Sequence, residues 1–203
     1  MGARTSEARR ELGRELRVQA LVIGGTLALL WLLEIVDEVL LGGHLDALGV
    51  RPRTVAGLVG IPLHPLLHGS FGHLIGNTIG MIVPAWFIVN RRRRDFFIVW
   101  ACATLVGGVG TWLVGRGVSH IGASGVVMGM MGCLVARGLF ERRVLAVVAS
   151  LAMALAWGGT ILGGLFPGDA HISWELHLFG LVGGVLAAWL TRRRYGVPVT
   201  SSS

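Results

Sequence analysis

The chain has 203 residues, 53% of them hydrophobic and only 14% charged, with a mean hydropathy of +0.70. A soluble globular domain carries about 25% charged residues, so this composition excludes that class, and the apolar residues fall in blocks long enough to cross a bilayer. All 18 basic residues are arginine and the net charge is +7; a one-sided membrane bias accounts for this better than nucleic acid, which is not an expected partner.

Residues 1–17 carry charges of both signs and read as a short cytoplasmic segment. No small-residue cleavage site follows an apolar core of about 7–15 residues, so no signal peptide is expected. Residues 18–195 form the predicted membrane domain. A span needs roughly 20 mostly apolar residues, and six candidates occur, at 18–41, 73–89, 96–115, 123–140, 144–166 and 174–190. The predicted fold class is therefore all-α, a polytopic bundle of six transmembrane helices. Segment 42–72, between the first two spans, is apolar but interrupted by Pro52, Pro62 and Pro65. Irregular backbone at membrane depth must be buried in protein or line a cavity, so this outer segment is expected to be partly immersed against the bundle. Residues 196–203 read as a disordered tail. Cys102 and Cys133 both lie inside apolar runs, a pattern of neither a disulfide framework nor a zinc site.

Arginine placement predicts orientation. Arg4, Arg9, Arg10, Arg14 and Arg17 precede the first span, and Arg91 to Arg94 follow the second. Arg137, Arg142 and Arg143 lie between the fourth and fifth, and Arg192 to Arg194 follow the sixth. With six spans these share one face, the cytoplasmic one, and only Arg51, Arg53 and Arg116 fall on the other. The histidines run the opposite way: His44, His64, His68, His73, His120, His171 and His177 all sit in outer loops or outer turns.

Spans two, four and six run inward from the outer surface, so polar groups in their first turns lie at similar depth. These are His73 and Asn77, Ser124, and His177. His73 and Asn77 are four apart and share a helical face, and polar residues inside spans normally face the bundle interior as part of a site. Gly125 and Gly129 adjoin Ser124, while Gly180 and Gly184 follow His177 at i+3 and i+7, spacings that permit close helix approach. The stretch HIGASG, 120–125, thus has two readings. Its serine is a packing residue at a helix crossing, the commoner role in a chain with 32 glycines, or it is a nucleophile served by an imidazole on another helix. The joint occurrence at matched depth favours the second.

Gly122-Ala123-Ser124-Gly125, His177 with Gly180 and Gly184, and His73-Leu74-Ile75-Gly76-Asn77 together resemble the rhomboid intramembrane serine proteases. The preceding HPLLHGSFGH, 64–73, is similar to that family's approach to span two, and the resemblance covers about residues 18–190. It implies a Ser124–His177 dyad, with Ser124 as nucleophile and His177 as general base and then acid. The oxyanion would be held by His73, Asn77 and the backbone N–H groups of Ser124 and Ala123, with Gly122, Gly125, Gly180 and Gly184 in supporting packing. His64 and His68 would help retain water. The implied substrates are transmembrane helices with helix-destabilising residues near their outer ends. They would pass beside span five, through Trp157-Gly158-Gly159 toward Phe166-Pro167-Gly168. The lipid bilayer is the other partner, a prokaryotic cell membrane the location, and neither metal nor cofactor is implied; no oligomeric state is assigned. Two residues depart from the family pattern: Met128 stands where an aromatic often stacks on the histidine, and Gly76 where a bulky residue is frequent. Two other functions compete. One is a catalytically inactive rhomboid-like binding or trafficking protein. The other is a metal-binding membrane protein using the outer histidines, which lacks an H-E-x-x-H arrangement.

Overall fold

The computed structural model describes residues 2–141 and 173–192, with isolated helical positions Val148, Ala152 and Leu155. Among these residues the regular structure is helical, apart from one antiparallel bridge between Val50 and His120. Apart from those three positions, the predicted fifth span at 144–166 lies outside the described residues, as do its glycine-rich gate, His171, the tail 196–203, Arg142, Arg143, Arg193 and Arg194.

The charged N-terminal segment is helical: α1 (Gly2–Gln19) continues through a π segment (Ala20–Gly24) into α2 (Gly25–Val36) and a second π segment (Asp37–Leu41). Gly42, left-handed at φ 61°, ends the run, as glycine commonly does at a helix C-terminus because it lacks a Cβ. The prolines then break the outer segment into short turns at His44–Leu48, Ala56–Leu58 and His64–Leu66, with one helical turn, α3 (Gly60–Leu63). This segment rests on the bundle as expected. A Cβ on Gly108 would come 2.9 Å from the Ile61 Cα, and Gly57, Gly60, His64, Pro65 and His68 are buried.

Three long helices follow, α4 (Phe71–Arg91), α5 (Arg93–Val114) and α6 (Ser124–Glu141), and then α7 (Trp174–Thr191). Ser70 caps α4, its hydroxyl accepting from the His73 N–H at 3.2 Å, which satisfies one orphan donor of the first turn. The arginine run 91–94 is almost wholly helical, with Arg92 alone extended (φ −161°) as the hinge between α4 and α5. Among the described residues, four helices are long and apolar enough to cross a membrane: Arg9–Leu41, Phe71–Arg91, Arg93–Val114 and Trp174–Thr191. The described apolar part of α6, Ser124–Phe140, is shorter, and its helix begins just after the left-handed Gly122 (φ +112°). Of the six expected spans, four are therefore met by length and composition.

Packing is that of a membrane bundle. Leu29, Leu32, Ile79, Leu105, Leu113 and Leu139 point outward, an apolar exterior that a soluble monomer rarely presents. Leu30, Leu74, Met81, Ile88, Phe96, Met130 and Met131 are fully buried. A Cβ on Gly180 would overlap the Gly125 carbonyl, and one on Gly184 the Gly129 carbonyl, so α6 and α7 meet backbone to backbone along a glycine seam. At the end of the bundle opposite Ser124, the fully buried Asp95 takes Nη2 of Arg137 at 2.9 Å and Nη1 of Arg91 at 3.6 Å. Arg137 also donates to the Thr191 hydroxyl at 3.1 Å, tying the α4–α5 turn to α6 and α7.

Candidate active site

The loop 115–123 between α5 and α6 is held along its backbone by the outer segment. Val50 and His120 exchange two backbone hydrogen bonds, of 3.0 and 2.9 Å, and the Gly122 N–H donates to the His64 carbonyl at 2.8 Å. The Ala123 N–H points at Nε2 of His68, 3.4 Å away. These contacts deliver Ser124 as the first residue of α6.

His73 and Asn77 project from α4 toward the same place. A Cβ on Gly122 would lie 2.5 Å from Cε1 and 2.7 Å from Nε2 of His73, and 3.6 Å from Nδ2 of Asn77. Only glycine fits there, both for its φ of +112° and for the imidazole beside it. Asn77 is buried, and its Nδ2 has no hydrogen-bond partner among the described residues. His177 arrives in the first turn of α7, its N–H donating to the Ser173 carbonyl at 3.1 Å. His73, Asn77, Ser124 and His177 all line one cavity of about 630 Å³, together with Gly69, Gly76 and Ser173. Three helices distant in sequence thus bring four predicted site residues to one cavity.

Other predicted residues lie elsewhere. Ala123 is fully buried and its N–H is turned to His68. Met128 is buried in the core and does not line the cavity. His64 and His68 are buried behind the cavity and do not line it. His64 Nε2–H donates to the Thr104 carbonyl at 3.3 Å, and His68 packs edge-on to His73 with ring centroids 5.3 Å apart. Burial pushes both imidazoles down to about 4, so they are neutral at pH 7 and serve as struts for the loop and for His73. Gly76 lines the cavity with open space where a Cβ would stand. Among the described residues, no group of three His, Cys, Asp or Glu side chains is arranged to hold a metal ion.

Sequence reasoning missed Arg116 and Ser173, which line the cavity, and Glu175, which is fully buried behind it. The available signal was an acidic residue in the first turn of an apolar span, a costly placement that requires a partner.

Comparison with known proteins gives a consistent outcome. A family model described as Rhomboid domain matches residues 56–194. An uncharacterized protein of Mycobacterium tuberculosis is 39% identical over 184 residues, covering 83% of this chain and 75% of that protein. An uncharacterized protein of Mycobacterium leprae is 35% identical over 190 residues, 89% of this chain and 75% of its own. The Bacillus subtilis protein named "Putative rhomboid protease YdcA" is 29% identical over 137 residues, 64% of this chain and 67% of its own.

Proposed function

The chain belongs to the rhomboid family, and from that premise we propose that it is an intramembrane serine endopeptidase with Ser124 as nucleophile and His177 as general base. The Ser124 hydroxyl attacks the scissile carbonyl while His177 takes its proton. The tetrahedral oxyanion accepts hydrogen bonds from Asn77 Nδ2, from His73 and from the Ser124 backbone N–H. His177 then protonates the departing amine, and water hydrolyses the acyl-enzyme with the same imidazole acting as base. Its substrates are transmembrane proteins cut near the outer ends of their helices, its bundle has six spans, and its termini are cytoplasmic.

One observation carries this reading. Asn77 Nδ2 is a buried donor without a partner among the described residues, and Asn77 lines the cavity that Ser124 and His177 also line. An unsatisfied buried donor costs about 1–3 kcal/mol, which is tolerated where a reacting group becomes the partner. A packing role for Ser124 requires neither that donor nor a cavity of this size.

The test uses purified protein in detergent with a model transmembrane substrate, comparing wild type, Ser124→Ala and His177→Ala with and without chelator. Both variants are expected to lose cleavage, and chelator to change nothing. Cleavage at the wild-type rate by Ser124→Ala would sink the reading; chelator-sensitive activity would favour a metal enzyme. Silence of the wild type on several substrates and serine-directed probes would favour an inactive binding protein.

A further inference from the structure

The glycine seam brings α6 and α7 together but does little to set their height relative to one another. Contacts between Gly125 and Gly180 and between Gly129 and Gly184 are backbone on backbone, without the interlocking side chains that fix axial register in knobs-into-holes packing. Ser124 and His177 sit at the outer ends of these two helices, where a shift of 1 Å costs on the order of 10²-fold in rate. Something at that end must hold the register.

Two contacts join the loop before α6 to the start of α7. The Glu175 carboxylate receives three hydrogen bonds from one residue: the Arg116 backbone N–H at 3.0 Å, Nε at 2.9 Å and Nη2 at 3.3 Å. Beside it, His120 bonds Nδ1 to the Ser173 hydroxyl and donates Nε2–H to the Arg116 carbonyl at 3.0 Å. Glu175 is fully buried and stands two residues before His177. Arg116 is eight before Ser124, in a loop whose later backbone is pinned by Val50, His64 and His68. A planar guanidinium gripping both carboxylate oxygens resists translation and rotation together.

We propose that the Arg116–Glu175 clasp is a positioning device that sets the register of His177 against Ser124, with His120–Ser173 as its second point of attachment. This rests on the protease reading given above. Neither Arg116 nor Glu175 touches a reacting atom in it; both act through the placement of the dyad.

The partners are asymmetric. Removing Arg116 leaves a buried carboxylate unpaired, which is strongly destabilising. Removing the charge of Glu175 leaves a guanidinium whose side chain is 36% exposed and reaches water. Glu175→Gln is therefore the informative variant, with Arg116→Lys as a second that keeps the charge and the backbone donor but loses the planar fork.

The experiment compares the full-length chain in detergent as wild type, Glu175→Gln, Arg116→Lys and the double variant. Two rates are read: labelling of Ser124 by a fluorophosphonate probe, and amide hydrogen exchange over 116–123 and 174–178. Each single variant is expected to slow labelling at least tenfold and to lower kcat on a model substrate with KM within twofold. The double variant should be no slower than the slower single, since both remove one clasp. Exchange over the two segments should rise at least tenfold while the thermal midpoint of Arg116→Lys stays near wild type. Wild-type labelling in the folded fraction of either variant, or unchanged exchange, overturns the proposal. Failure of the wild type to label, or labelling that persists in Ser124→Ala, refutes the protease reading instead. The exchange rates judge the clasp in either case.

Discussion

The imidazole of His73 lies against Gly122, so close that a Cβ there would stand 2.5 Å from Cε1. This contact joins the α4 face bearing His73 and Asn77 to the loop that ends at Ser124. Gly122→Ala adds that Cβ and must also adopt φ +112°, a combination costing about 1–3 kcal/mol in backbone strain alone. Proteolytic activity is expected to fall at least 100-fold, and the thermal midpoint in detergent to fall with it. Retained wild-type kcat/KM would show that His73 does not need its present place.

Asn77 separates chemistry from stability. Asn77→Ala removes one proposed oxyanion donor and should lower kcat by about 10²–10³ with KM little changed. The buried Nδ2 has no partner among the described residues, so its removal should leave thermal stability unchanged or raise it by about 1 kcal/mol. A fall in both activity and midpoint would mark Asn77 as a structural residue.

Two glycines that face α7 or lie on it should respond oppositely. A Cβ on Gly184 would overlap the Gly129 carbonyl, whereas one on Gly107 would meet Gly180 Cα at an ordinary 3.6 Å. Gly184→Ala is expected to force α6 and α7 apart and abolish activity. Gly107→Ala should be neutral, or stabilising by up to ~1 kcal/mol through helix propensity. Thermal unfolding of both variants in one detergent checks the contrast.

Stability should fall in acid. Burial holds the folded-state values of His64 and His68 at about 4, below the ordinary 6.5, and lowers His120 as well. The unfolded chain thus binds these protons first, so the stability they contribute is complete above pH 6.5 and is lost as pH falls toward 4. Asp46 opposes this: burial and the nearby Asp37 and Glu38 push it up to about 6, and its protonation on acidification favours the folded state. Asp46 is only half-buried and its effect is screened, so the histidines should dominate. Thermal midpoints measured from pH 7 to pH 4.5 should decline; a flat or rising profile would contradict the buried neutral imidazoles.

At the opposite end, Arg137→Ala deprives the fully buried Asp95 of its 2.9 Å partner. Leaving such a charge without that partner costs about 3–5 kcal/mol, eased by Arg91 at 3.6 Å. The expected result is a large drop in midpoint with unchanged Ser124 labelling per folded molecule. That result would separate the Asp95 ion cluster from the chemistry at the Ser124 end.

Membrane character, family and the places of α4, α5, α6 and α7 are all legible along the chain. Long apolar blocks and charged punctuation are local signals, so they survive in one dimension. The sequence also placed His73, Asn77, Ser124 and His177 at one depth, because helical rise converts position along the chain into height. What it could not determine was direction around each helix axis and the pairing of groups dozens of residues apart. Those depend on which helix faces which, and they emerge only when the helices pack. The Ala123 N–H turned to His68, Met128 sank into the core, and His64 and His68 became struts behind the cavity. Glu175, on a different helix face from His177, found Arg116 across 59 residues of chain, because a carboxylate buried in an apolar bundle is stable only where a cation reaches it.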